Sequence, residues 1–232
     1  MPETYCFEKC LFSKKHKFLL TSFGCLAPIV KETIMNYLAH AYLSFNDPEI
    51  LVGNMISDFV KGKKKFDFPE NIRKGIELHR AIDTFTDFHE ATQLAKLVFR
   101  PAYRLYSGAF IDVAYDHYLA NDNSEFESRD SLMQFTQVTY ARLKPFNQVF
   151  PSRFAMMFPY MEKQNWLFNY TFPQGIQNSF EGLVRRSAYM NESKTAFRLF
   201  ENHYDELKSC YNNFFPSLKK FAYSHLQLLN AK

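Results

Sequence analysis

The stretch GIELHRAIDTFTD, residues 75–87, reads as one helix and sets the reading of the whole chain. Ile72, Ile76, Leu78, Ile82 and Phe85 supply apolar positions, and no proline interrupts them. His79, Asp83 and Asp87 recur at four-residue spacing, so they line one helical face, each a turn above the last. That face carries an imidazole and two carboxylates, with Arg80 beside them. Such groups are costly to bury unless they bind a metal or pair with one another. Three polar pairs at the same spacing lie nearby: Asn36 with His40, Asn54 with Asp58, and Asp112 with Asp116, with His117 directly following.

Outward from this helix the pattern stays helical. Asn36–Phe45 carries Leu38, Ala41, Tyr42 and Phe45 on one side. Asn46-Asp47-Pro48 signals a turn, with Asp47 as N-cap of a helix over Pro48–Val60. A basic loop, Lys61-Gly62-Lys63-Lys64-Lys65, leads to Pro69, where the long helix starts and runs to about Phe88. His89–Tyr106 is read as helical with a bend near Pro101, and Ser107–Leu119 as a further helix. A polar loop, Asn121–Arg129, precedes a helix over Ser131–Phe146 with Leu132, Phe135, Val138 and Leu143 inside. Pro145, Pro151 and Pro159 divide the next region into short pieces. Helices over Asn165–Tyr170 and Gly175–Arg186 follow, then two closing helices, Lys194–Asn213 and Pro216–Leu229. The expected fold is all-α, a single-domain helical bundle.

The chain has 232 residues, with 26 Phe, 14 Tyr and only seven Gly, which favours an aromatic helical core over a turn-rich β fold. The net charge of +4 gives no support for nucleic acid and little for any acidic partner. No run of about 20 apolar residues exists to span a membrane. Residues 1–34 differ from the rest. They hold five Lys and three Glu, leaving +2 for residues 35–232. They also hold Cys6, Cys10 and Cys25, with only Cys210 beyond, which excludes a disulfide scaffold for the core and fits a reducing compartment. Lys14–Lys17 before the apolar run Phe18–Val30 has the shape of a signal peptide. The favoured reading is instead an extraneous start or a disordered tail, because Met35 opens the coherent pattern. A cytoplasmic location is expected.

The polar set His40, Asp58, His79, Asp83, Asp87, Asp112, Asp116 and His117 offers imidazole and carboxylate ligands without thiolate. Such a set suits Mn²⁺, Fe²⁺ or Mg²⁺ at least as well as Zn²⁺. Helices can project these groups inward to a shared ion. An ion so held lowers the pKa of water towards ~7 and polarises a phosphoryl oxygen, the equipment for hydrolysing a phosphate ester. Structural readings stand beside this one. Asp83 and Asp87 can pair with Arg80 on a solvated face. His40 can be a hydrogen-bonded core histidine, and Asp112 and Asp116 can cap or pair locally. The phosphate-loop signatures of nucleotide enzymes are absent.

Four blocks carry a resemblance: MNYLAHAYLS from Met35, GNMISDFVKG from Gly53, GIELHRAIDTFTD from Gly75 and DVAYDHYL from Asp112. In that order they resemble the acyl carrier protein phosphodiesterase family, and NWLFNYTFPQGIQNSFEGLVRR from Asn165 and HYDELKSCYNNFFPSL from His203 look like its C-terminal half. The resemblance spans about residues 35–225. It implies an HD-domain-like, Mn²⁺-dependent hydrolase that removes 4′-phosphopantetheine from holo-acyl carrier protein. The family's motif positions fall on His40, Asn54, Asp58, His79, Arg80, Asp83, Asp116 and His117.

On that basis His40, His79, Asp83 and Asp116 are the expected metal ligands. Asp58 is the expected residue to position water or accept its proton, and His117 to protonate the leaving oxygen. Arg80 is expected to bind phosphate or brace the carboxylates. Lys61, Lys63, Lys64 and Lys65 are the expected docking surface for the acidic carrier protein. The alternatives are a metal phosphohydrolase acting on a nucleotide or another small phosphodiester, and a catalytically silent helical interaction protein.

Overall fold

The computed structural model describes residues 37–231, and the expectations for residues 1–34 lie outside the described residues. Among the described residues every element is helical. In order these are α1 (Tyr37–Tyr42), α2 (Pro48–Ile56), α3 (Glu70–Phe88), α4 (Glu90–Tyr103), α5 (Ser107–Ala120) and α6 (Arg129–Leu143). Then come α7 (Ser152–Lys163), α8 (Trp166–Asn169), α9 (Pro173–Arg186), α10 (Lys194–Asn202) and α11 (Tyr204–Asn230). Short 3₁₀ turns join several of them, including Ser57–Phe59 and Gly62–Asp67. Among the described residues no helix is long and apolar enough to cross a membrane.

The starts follow from local chemistry. The Asp47 carboxylate accepts from the amides of Glu49 and Ile50, and Pro48 takes the first helical position, where its missing N–H costs nothing. Ser128 and Ser131 cap α6 reciprocally. His89 ends α3 and caps α4, its ring accepting from the Ala91 amide. Arg104, at φ 48°, turns the chain between α4 and α5 just past Pro101, so the helix runs through the proline for a last half-turn before reversing.

α2 and α3 form the closest pair. A Cβ on Gly53 would stand 2.0 Å from the Ile72 carbonyl oxygen, and one on Gly75 would stand 2.3 Å from that of Ile50. Only glycine lets two backbones approach like this. α11 packs along α3, α4 and α5 and closes the bundle. Aromatic rings fill the interior: Phe99, Phe110 and Phe180 stack or meet edge-on, and Tyr115 stacks on Phe214.

Three expectations about elements are corrected. The last break falls at His203, not between Asn213 and Pro216, and α11 runs unbroken through Pro216. Pro216 and Asn212, whose carbonyl loses its partner, both face solvent, where water can satisfy that oxygen. On the opposite face Phe214, Phe215 and Leu218 are buried and hold the helix on course. The proline-rich region contains the full helix α7. Val138, expected inside, is exposed on α6.

Candidate active site

The Gly53–Gly75 crossing brings Asn54 against the middle of α3. α2 gives way to a 3₁₀ turn after Ile56, so the Asn54 carbonyl belongs to the last helical turn, whose carbonyls lack partners within the helix. It accepts a 2.7 Å hydrogen bond from His79 Nδ1. The Asn54 side chain accepts a 2.8 Å bond from His40 Nδ1 through Oδ1. Its Nδ2 donates to the His40 carbonyl at 2.9 Å and to Ser44 Oγ at 3.1 Å. A carbonyl only accepts, which fixes the amide's orientation and leaves Oδ1 facing the imidazole.

Both imidazoles therefore carry hydrogen on Nδ1 and turn Nε2 the other way. The rings stack with centroids 3.8 Å apart and planes 14° from parallel. Both residues are buried. His40 Nε2 points towards Asp83 Oδ1 at 3.3 Å, and His79 Nε2 lies 3.1 Å from Asp58 Oδ1 and 3.4 Å from Asp83 Oδ2. Ligand atoms of His40, His79 and Asp83 all lie within 4.8 Å of one another. The Asp83 side chain keeps 37% exposure, so the group opens to solvent on the carboxylate side.

The electrostatics mark this as a place for positive charge. Burial, and then His79 alongside, push His40 below the usual imidazole value. Burial works the same way on His79, but Asp83 and Asp58 outweigh it and hold that imidazole well above its usual value. Burial works to raise Asp83, yet His79 and His40 hold its carboxyl far below the usual carboxylate range. His40 Nε2 is buried without a hydrogen-bond partner, its lone pair turned towards a carboxylate oxygen. Either a proton on Nε2 or a metal ion between the two atoms makes that contact favourable. The donor set fits a divalent ion: two imidazoles oriented through their far nitrogens, plus carboxylate.

Other expected residues stand elsewhere. Asp116 is not part of this group. Fully buried, it accepts from the amides of Leu38 (3.0 Å) and Ala39 (2.8 Å), so it anchors the start of α1. Burial pushes its carboxyl up to about 8, against the pull of the two amides and of the Tyr170 hydroxyl. His117 is buried and held within the fold by hydrogen bonds at both ring nitrogens. Its Nδ1 donates to the Tyr170 carbonyl at 2.7 Å, Nε2 accepts from the Tyr204 hydroxyl at 3.0 Å, and Phe200 closes over the ring. Burial lowers its pKa, which keeps it neutral.

Arg80 donates to the Val60 carbonyl at 2.6 Å, bracing the 3₁₀ turn that carries Asp58 rather than the carboxylates themselves. Asp87, expected on the same face as His79, pairs with Lys96 at 3.0 Å. Lys61, Lys63 and Lys64 are exposed, whereas Lys65 is held by Glu77 at 2.7 Å. Sequence reasoning gave no role to Ser44, which supports the Asn54 amide; its place four residues after His40 was the available signal.

The sequence model of the family described as acyl carrier protein phosphodiesterase matches residues 35–218. Among curated proteins, the acyl carrier protein phosphodiesterase of Klebsiella pneumoniae (strain 342) is 29% identical over 188 residues, covering 81% of this chain and 97% of its own. That of Yersinia pestis is 29% identical over 194 residues, covering 84% and 100%. That of Escherichia coli O139:H28 is 31% identical over 196 residues, again 84% and 100%. No solved structure matches the chain. With the family's model spanning most of the sequence and the polar cluster within that span, the chain belongs to the acyl carrier protein phosphodiesterase family.

Proposed function

We propose that this protein is a metal-dependent phosphodiesterase that cleaves 4′-phosphopantetheine from holo-acyl carrier protein, releasing the apo carrier. The observation that carries the reading is the stacked pair His40 and His79, each with Nε2 turned to Asp83 or Asp58. A divalent ion, Mn²⁺ foremost with Mg²⁺ or Fe²⁺ as alternatives, would be held by His40, His79 and Asp83, and would supply the charge that polarises a phosphoryl oxygen and acidifies water. Asp58, half-buried beside His79 Nε2, serves as the general base that takes the water proton. Arg80 keeps Asp58 in place through Val60. The water oxygen bonds to phosphorus as the bond from phosphorus to the serine oxygen of the carrier breaks, and the proton that Asp58 takes from water passes to that serine oxygen.

The exposed lysines Lys61, Lys63 and Lys64 follow Asp58 directly and form a docking surface for an acidic protein. Lys65, tied to Glu77, contributes less. A cytoplasmic location belongs to this reading, supported by a carrier-protein substrate; among the described residues no helix is able to cross a membrane. Intact-mass spectrometry of holo-acyl carrier protein tests this reading. Loss of the prosthetic-group mass with Mn²⁺, and none with chelator, is the expected result. An unchanged carrier alongside cleavage of a nucleotide or small phosphodiester would shift the substrate to that class. No cleavage of either would contradict the proposal.

A further inference from the structure

We propose that Asn54 is the positioning residue for both imidazoles of the site. The inference rests on reading His40 and His79 as metal ligands, and goes beyond it by assigning how they are aimed. One residue reaches both rings by two different groups. Its side-chain Oδ1 takes the His40 Nδ1 proton, and its main-chain carbonyl takes the His79 Nδ1 proton. Asn54 is completely buried, so water does not compete for either bond. Without these acceptors each ring could turn over or shift its proton to Nε2, and a protonated Nε2 is no ligand. The amide is itself held, by the His40 carbonyl and by Ser44 Oγ, whose own proton goes to that same carbonyl at 2.8 Å. The main-chain half depends on Gly53 and Gly75, whose close crossing presents the Asn54 carbonyl to α3.

The division of labour makes a sharp test. In Asn54→Ala the main-chain carbonyl survives and the side-chain oxygen does not. The ring Nδ1–H protons of His40 and His79 are followed by ¹⁵N-edited NMR in metal-free protein, so this readout does not depend on metal binding. Expected in the wild type are two slowly exchanging ring protons; in Asn54→Ala the His40 proton is lost and the His79 proton stays. Mn²⁺ affinity, read by electron paramagnetic resonance of the free ion, falls about 10–100-fold. A residue that merely packed would lower stability without separating the two rings.

Ser44→Ala, a milder change, serves if Asn54→Ala does not fold. It removes one support of the amide, and a roughly threefold weaker Mn²⁺ affinity with faster exchange of the His40 ring proton alone is expected. Retention of the His40 ring proton in Asn54→Ala, or equal exchange of both rings in Ser44→Ala, would overturn the proposal. Absence of Mn²⁺ binding by the wild type would overturn the metal reading, and the ring-proton result would then decide the positioning role by itself.

Discussion

His79 and His117 show how one residue type serves opposite ends. Both are buried and both donate from Nδ1 to a main-chain carbonyl. The far nitrogen of His79 meets carboxylates, whereas that of His117 meets the Tyr204 hydroxyl. Asp83→Ala should therefore abolish Mn²⁺ binding and lower kcat/KM about 100-fold or more, measured at a Mn²⁺ concentration that saturates the wild type. His117→Gln should keep its metal and its turnover. Its effect belongs to stability. His117 has a folded pKa below its unfolded value of about 6.5, so the folded protein binds fewer protons than the unfolded one. Stability from this residue is full above about pH 6.5 and drains as pH falls from there towards the folded pKa, by at most ~1.4 kcal/mol per unit. Urea midpoints between pH 7 and 5 should fall less steeply in His117→Gln than in the wild type. Identical slopes would show that His117 is not held neutral by its pocket.

At the level of elements, the site is a consequence of one helix crossing. Gly53→Ala or Gly75→Ala pushes a methyl group into a facing carbonyl oxygen and should cost about 3 kcal/mol or more, visible as a lowered denaturation midpoint. Asp116→Asn tests the anchoring of α1. Both oxygens accept from amides, so an NH₂ group would face an N–H, and about 1–3 kcal/mol should be lost with faster amide exchange at Leu38 and Ala39. The sequence made α3 plain, since its apolar spacing, the start near Pro69 and the end near Phe88 all show in the residue pattern. Of the cluster His40, His79 and Asp83, four-residue spacing puts His79 and Asp83 on one face, while His40 joins them in the sequence only through the family resemblance. Asp87 shares that spacing and yet pairs with Lys96, because a partner from α4 arrives there. The roles expected of Asp116 and His117 came from the family resemblance, and the sequence does not show that Asp116 accepts from the amides of α1 or that His117 bonds Tyr170 and Tyr204. Spacing reports which groups share a helix face, while a ligand and a cap differ only in what the neighbouring helix presents. Pro216 misled because propensity is local and the buried face of α11 outweighs it.

At the scale of the molecule, the bundle sets a buried imidazole pair near an opening at Asp83, with a basic turn immediately after Asp58. Association with an acidic partner through Lys61, Lys63 and Lys64 should weaken with salt, since exposed charges are screened over about 8–10 Å at 0.1–0.15 M. Changing these three to Ala together should raise KM for the carrier several-fold at low salt, leave kcat unchanged, and remove most of the salt dependence. An unchanged KM would remove this surface from the docking reading. On the proposed reading, His40, His79 and Asp83 hold the ion that serves hydrolysis. Its most direct test is anomalous diffraction from crystals of the protein soaked in Mn²⁺. The expected result is one strong manganese peak at bonding distance from Nε2 of both histidines and from the Asp83 carboxylate. A peak at another set of side chains, or none at a concentration that supports turnover, would contradict it.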